Sequence, residues 1–231
     1  MHSLIQKGLF TVLLAFVTLQ SGFAQFQEAD PGITALEDPS MASGDINGDG
    51  NTDLVLAGRY SVDLNISNAY QNDGSGSFSM FQEDLTGING GEIDLGDYDQ
   101  DGDLDLVITG NDPLDHPTTV IYQNQNNQGF ASLEAGLEGI VAGGADWGDF
   151  DQDGDLDLVV VGTTGDVAPS ATIYENEGGG EFTPLNARIR GVKEGSVAWG
   201  DFNQDSLPDL VITGKDSENF PVALVYENKG D

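Results

Sequence analysis

The chain has 231 residues, with 40 acids against 7 bases, a net charge of -33 and no cysteine. A surface this negative repels nucleic acid and anionic lipid, so neither is an expected partner. Without cysteine there is no disulfide framework, no thiol nucleophile and no lipid-modified N-terminal cysteine.

The first predicted element is a leader. His2 and Lys7 precede an apolar run from Gly8 to Leu19, and Gly22 and Ala24 are the small residues that signal peptidase prefers. Cleavage is expected between Ala24 and Gln25, which makes residues 1–24 a signal peptide. A run of that length is short of the roughly 20 residues a spanning helix needs, so no membrane insertion is expected after cleavage. The mature chain, 25–231, is then secreted or held at the cell surface. An exported chain without disulfides needs another cross-link, and bound metal is the obvious candidate.

The rest of the chain repeats. Four acidic loops begin at Asp45, Asp97, Asp149 and Asp201, each 52 residues after the last, and read DINGDGNTDL, DYDQDGDLDL, DFDQDGDLDL and DFNQDSLPDL. Such packing of carboxylates repels itself unless a cation sits among them. Counting from the first aspartate, side-chain oxygens at positions 1, 3, 5 and 9 and a backbone carbonyl at 7 can converge on one hard ion. The first loop offers Asp45, Asn47, Asp49 and Asp53 with the Asn51 carbonyl. The second offers Asp97, Asp99, Asp101 and Asp105 with the Asp103 carbonyl. The third offers Asp149, Asp151, Asp153 and Asp157 with the Asp155 carbonyl. The fourth offers Asp201, Asn203, Asp205 and Asp209 with the Leu207 carbonyl.

Ca²⁺ suits such an all-protein oxygen cage better than Mg²⁺, which demands stricter geometry and keeps its waters. Up to four ions are expected, one per repeat. The fourth site is expected to be weakest: Ser206 stands where the other loops have glycine at a turn that needs positive φ, and Pro208 removes an N–H. An EF-hand needs Glu at position 12, but Leu56, Ile108, Val160 and Ile212 stand there.

Each loop leads into a β-branched segment (LVLAG, LVITG, LVVVG, LVITG) that closes on Gly58, Gly110, Gly162 or Gly214. Phe26, Phe78, Phe130 and Phe182 share the 52-residue register, as do Tyr70-x-Asn72, Tyr122-x-Asn124, Tyr174-x-Asn176 and Tyr226-x-Asn228. The second repeat predicts strands near 92–96, 104–109, 118–123 and 130–133, with the acidic loop between the first two. No segment has a helical period. The fold class is therefore all-β: a β-propeller of four 52-residue, four-stranded blades, with repeat units about 26–77, 78–129, 130–181 and 182–231.

The loop, its place between strands 1 and 2, and the period resemble the FG-GAP/VCBS repeats of the integrin alpha N-terminal-like β-propeller superfamily, from about Phe26 onward. That family usually has more blades. Two arrangements stay open: a closed four-blade ring, with Phe26 to Ala29 supplying the fourth strand of the last blade, or part of a larger propeller, truncated or self-associating.

The 2–3 loops, RYSVDLNIS, NDPLDHP, TTGDVAP and KDSENFP, differ most among the repeats and fall on the face opposite the acidic loops. They are candidate ligand-binding surface, with Tyr60, His116 and Phe220 as contacts; Arg188, Arg190 and Lys193 form a small basic cluster. No nucleophile motif is present, and no catalytic residue is nominated. The expected function is a calcium-stabilised adhesion or binding module for an extracellular glycan or protein. The alternative is a polysaccharide lyase or hydrolase, or the propeller portion of one.

Overall fold

The computed structural model describes residues 32–165 and 168–230; the expected leader and the Phe26 to Ala29 strand lie outside them. Among the described residues the chain is all strand and loop, in four antiparallel sheets. The first sheet runs β1 (Glu37–Gly44), β2 (Asp53–Ser61), β3 (Leu64–Asn72) and β4 (Phe78–Leu85). The second runs β5 (Ile93–Gly96), β6 (Asp105–Asn111), β7 (Pro117–Asn124) and β8 (Phe130–Leu133). The third comprises β9 (Val141–Gly148), β10 (Asp157–Thr163), β11 (Pro169–Asn176) and β12 (Phe182–Leu185). The last has three strands, β13 (Lys193–Gly200), β14 (Asp209–Lys215) and β15 (Pro221–Tyr226). No described helix is long and apolar enough to cross a membrane.

Each sheet is a meander, its strands paired in chain order. The sheets are offset from the sequence period, because the strand that opens each 52-residue unit at Phe78, Phe130 or Phe182 closes the preceding sheet. The predicted strands of the second repeat fall on β5 to β8, the last matching residue for residue. One detail differs. Gly110 and Gly162 do not end their strands but sit one residue inside them. The neighbouring first strand crosses closely there: a Cβ on Gly143 would lie 1.8 Å from the Val161 carbonyl oxygen. Strand closeness, not strand ending, requires glycine at this crossing.

The sheets stack face to face in chain order, with β1 and β2 against β5, β5 and β6 against β9, and β9 and β10 against β13. Three apolar layers fill the gaps. Val55, Ala57 and Ala69 meet Leu106, Ile108 and Tyr122; Val107 and Ile121 meet Trp147, Leu158 and Tyr174; Val159, Val161 and Ile173 meet Val197, Leu210 and Ile212. Continuous β-branched runs explain this, since each central strand is apolar on both faces. Among the described residues no comparable layer joins the first sheet to the last, so they form an open row rather than a closed ring.

Among the described residues no strand pairs with the outer edge of β15, which borders a cavity of about 370 Å³ lined by Phe150, Trp199, Tyr226 and neighbours. One repeat earlier that space holds the fourth strand, where Phe182 packs on Tyr98 at 5.5 Å and on Trp147 at 6.0 Å between ring centroids.

Candidate metal centre

All four acidic loops connect the first and second strands of their sheets, so they line one side of the row. Their turns are shaped by self-recognition. In the second loop the Asp97 carboxylate accepts the N–H groups of Asp101 and Gly102, both at 3.1 Å, and Asp101 accepts that of Asp103 at 3.0 Å. The first and fourth loops repeat this pattern through Asp45 with Asp49, and Asp201 with Asp205. Position 6 takes the left-handed region throughout, as Gly50 (φ 85°), Gly102 (φ 93°), Gly154 (φ 102°) and Ser206 (φ 76°). Ser206 thus bears the strain that a side chain meets there.

The ninth-position aspartate is buried and does something the sequence does not announce. Asp105 accepts the Tyr98 N–H at 3.1 Å through one oxygen and the Asn124 N–H at 2.8 Å through the other. Asp53, Asp157 and Asp209 make the same pair of bonds, to Ile46 and Asn72, Phe150 and Asn176, and Phe202 and Asn228. This residue ties the loop to the third strand, and each oxygen keeps a lone pair for a cation. Burial is the main cause that pushes Asp105 and Asp157 up to about 7, and the neighbouring loop carboxylates push the same way. A cation among them would reverse that.

Two loops gather three carboxylates with oxygens within 4.8 Å of one another: Asp97, Asp99 and Asp105 in the second, and Asp149, Asp151 and Asp153 in the third. In the third, Asp149 Oδ1 is buried with no hydrogen-bond partner. A buried, unpaired carboxylate oxygen facing two more carboxylates is what a hard cation would satisfy, so the donor set fits Ca²⁺. The first and fourth loops carry an amide at position 3, and there the side chain turns on its neighbour. Asn47 donates to Asp49 at 3.3 Å, and Asn203 to Asp205 at 3.0 Å. Their acids are fewer, which weakens the cation's hold.

Sequence reasoning missed the fourth loop position. Gln100 and Gln152, both at positive φ, reach into the next loop: Gln100 donates to Asp155 Oδ1 at 2.8 Å, and Gln152 to the Ser206 carbonyl. Also missed was a carboxylate group on and beside the innermost strands: Glu92, just before β5, Asp94 of β5 and Asp146 of β9. Burial, above all, raises all three, Asp94 to about 6, and Asp94 hydrogen-bonds Asp146. Asp94 and Asp146 stand 52 residues apart, so the repeat register was the available signal.

On the opposite side, Tyr60 and Phe220 are exposed, and no aromatic contact among the described residues joins them. His116 is exposed too, its Nδ1 lying 3.5 Å from Asp112. Asp112 accepts the N–H groups of Leu114 and His116, as Asp216 does for Glu218 and Phe220, so both loops share one turn design. Of the basic cluster, Arg190 is paired with Asp216 at 2.7 Å. Grooves of about 500 and 410 Å³ lie beside the first two of these loops, lined by residues that include Asn65, Asp112 and Pro113.

No curated protein sequence matches the chain. Among solved structures, the crystal structure of the V. cholerae biofilm matrix protein Bap1 is similar at 18% identity and a TM-score of 0.44, over 86% of this chain; the chain spans 38% of that protein's length. The FG-GAP-like repeat matches three times, at residues 45–108, 97–160 and 149–212, each match running from one acidic loop through the next. The chain belongs to the FG-GAP-like repeat family.

Proposed function

We propose that this is an exported, calcium-stabilised propeller module that binds an extracellular glycan or protein, in adhesion or surface attachment, through the loops opposite its metal loops. The observation that carries the calcium part is the unpaired Asp149 Oδ1 within a three-carboxylate group. The metal is structural in this reading. A site that binds only the folded state, with free ion at ten times its Kd, adds about 1.4 kcal/mol, and four add roughly 5–6 kcal/mol. That is comparable with the net stability of a domain.

Support for the binding part is a division of labour between the two sides of the row. The acidic side is constant from repeat to repeat, whereas the other side varies in sequence and exposes Tyr60, His116 and Phe220. Exposed aromatics with few competing roles are the residues that stack on sugars or fill partner pockets. The test is glycan and surface-protein binding at saturating calcium, comparing the unaltered protein with Tyr60→Ala and Phe220→Ala. Binding should fall at least tenfold in a variant while its melting temperature holds. Release of unsaturated products from acidic polysaccharides would contradict this reading and favour a lyase.

A further inference from the structure

The acidic loops are wired to one another as well as to their own sheets. Gln100, at the fourth position of the second loop, donates its side-chain amide to Asp155 Oδ1 at 2.8 Å and to the Gly154 carbonyl, both in the third loop. Gln152, at the same position of the third loop, donates to the Ser206 carbonyl of the fourth. Each amide therefore lands at position 6 or 7 of the next loop, beside the backbone carbonyl nominated as a ligand.

The donors are as constrained as the acceptors. Gln100 lies between Asp99 and Asp101, and Gln152 between Asp151 and Asp153, the nominated ligands at positions 3 and 5. Both glutamines take the left-handed region, at φ 56° and 63°. Gln204 takes it too, at φ 63°, although it donates to no further loop among the described residues. The strained turn is thus a property of the loop and not of the bond it makes. A cation that draws the flanking carboxylates together fixes this turn, and with it the direction of the amide.

The gap between the first and second loops is built differently. Gly48 stands at the fourth position of the first loop and offers no amide. A Cβ there would lie 2.9 Å from the side chain of Asn127, which donates to Asp103 Oδ1 from the β7–β8 turn of the second sheet itself. The third sheet has Gly179 in place of that asparagine, and there Gln100 does the holding. The position-7 aspartate is held either way, but only the glutamine ties one metal loop to the state of another. Asn124, Asn176 and Asn228 donate to the carbonyls of Ile46, Tyr98 and Phe150, a bond common to all three gaps that does not distinguish them.

Resting on the calcium reading above, we propose that Gln100 and Gln152 couple ion binding in the second, third and fourth loops, so that an occupied loop preorganises the next, while the first loop lies outside this coupling. Both are positioning residues, acting through the loop they hold rather than on the cation. Linkage makes the effect reciprocal: an ion in the third loop tightens the second by the same factor. Repulsion between neighbouring ions works the other way, and salt screens it.

The experiment is a calcium titration of the chelated 25–231 chain at high ionic strength, followed by NMR at the backbone amides of Gly102 and Gly154, which report the second and third loops separately. Asp101→Asn, which weakens the second loop, should raise the midpoint at Gly154 by about threefold to tenfold, the worth of one or two exposed hydrogen bonds. Asp153→Asn should raise the midpoint at Gly102 by the same factor. With Gln100→Gly or Gln100→Ala in the background, both ratios should fall to about one. Gln100 is exposed and glycine already serves at this position in the first loop, so folding is spared. Equal ratios with and without Gln100 overturn the proposal, as does a Gly154 midpoint that ignores Asp101→Asn. Calcium that shifts neither amide in the unaltered protein overturns the calcium reading and the coupling together, whereas binding without coupling leaves that reading standing.

Discussion

The side-chain amide of Asn124 donates to the carbonyl of Ile46 at 2.9 Å, bridging 78 residues of sequence and the gap between two sheets. The same amide donates to the Leu104 carbonyl at 3.1 Å, and its backbone N–H goes to Asp105. Asn124 is buried, so removing its amide leaves two carbonyls without a donor. Asn124→Ala should cost about 2–4 kcal/mol in urea unfolding, from roughly 1–3 kcal/mol per stranded group with partial water rescue. Calcium stoichiometry should not change, since the residue offers the cation nothing.

Asp101 and Asp105 are both nominated ligands, yet they should behave differently. Asp105 also holds two buried N–H groups, and an amide replaces only one acceptor. Asp105→Asn should destabilise the protein by about 1–3 kcal/mol even in chelator. Asp101→Asn, at an exposed loop position, should weaken calcium binding and leave the chelated protein's melting temperature unchanged. Isothermal titration and thermal melts in chelator separate the two roles.

Ser206 occupies φ 76° where the other loops use glycine. Replacing it by glycine removes about 1 kcal/mol of left-handed strain. Ser206→Gly should raise the calcium affinity of the fourth loop and the melting temperature of the loaded protein. A lower melting temperature would show that the loop relies on the serine side chain.

Asp94 makes stability depend on pH. Its folded value, about 6, lies above the ordinary carboxylate value of 3.8, chiefly through burial, and Asp146 and Glu92 are raised in the same direction. The folded state therefore holds protons that the unfolded state releases. This contribution is fully present below about pH 4 and is lost as pH rises through 6. Asp94→Asn removes the penalty of the buried charge. At matched calcium, the variant should gain on the unaltered protein between pH 5 and pH 8, by about 1–2 kcal/mol after allowing for screening by nearby water. A stability difference independent of pH would show that the carboxyl is ionised throughout.

The strands were legible because loops and β-branched runs recur in register; Phe130 to Leu133 coincides with β8. The loops' positive φ was legible from Gly50, Gly102 and Gly154. Contacts between repeats were not. The Tyr-x-Asn motif stood out as a pattern, but its use was hidden: the Tyr122 hydroxyl accepts the Thr86 N–H at 2.8 Å, and Asn124 reaches Ile46. Such bonds depend on how one sheet sits on the next, which a one-dimensional period does not encode. For the same reason the sequence left ring closure open, whereas the described sheets form an open row. The inner carboxylates Glu92, Asp94 and Asp146 escaped notice because only two of the four repeats carry them.

The proposed function rests on cations holding the four acidic turns. The direct measurement is calcium content by elemental analysis of the purified 25–231 chain, paired with its melting temperature before and after chelation. Bound calcium approaching four ions per chain, and a melting temperature that drops by ten degrees or more on chelation and returns with added calcium, is the predicted result. No bound calcium and an unchanged melting temperature would contradict the account.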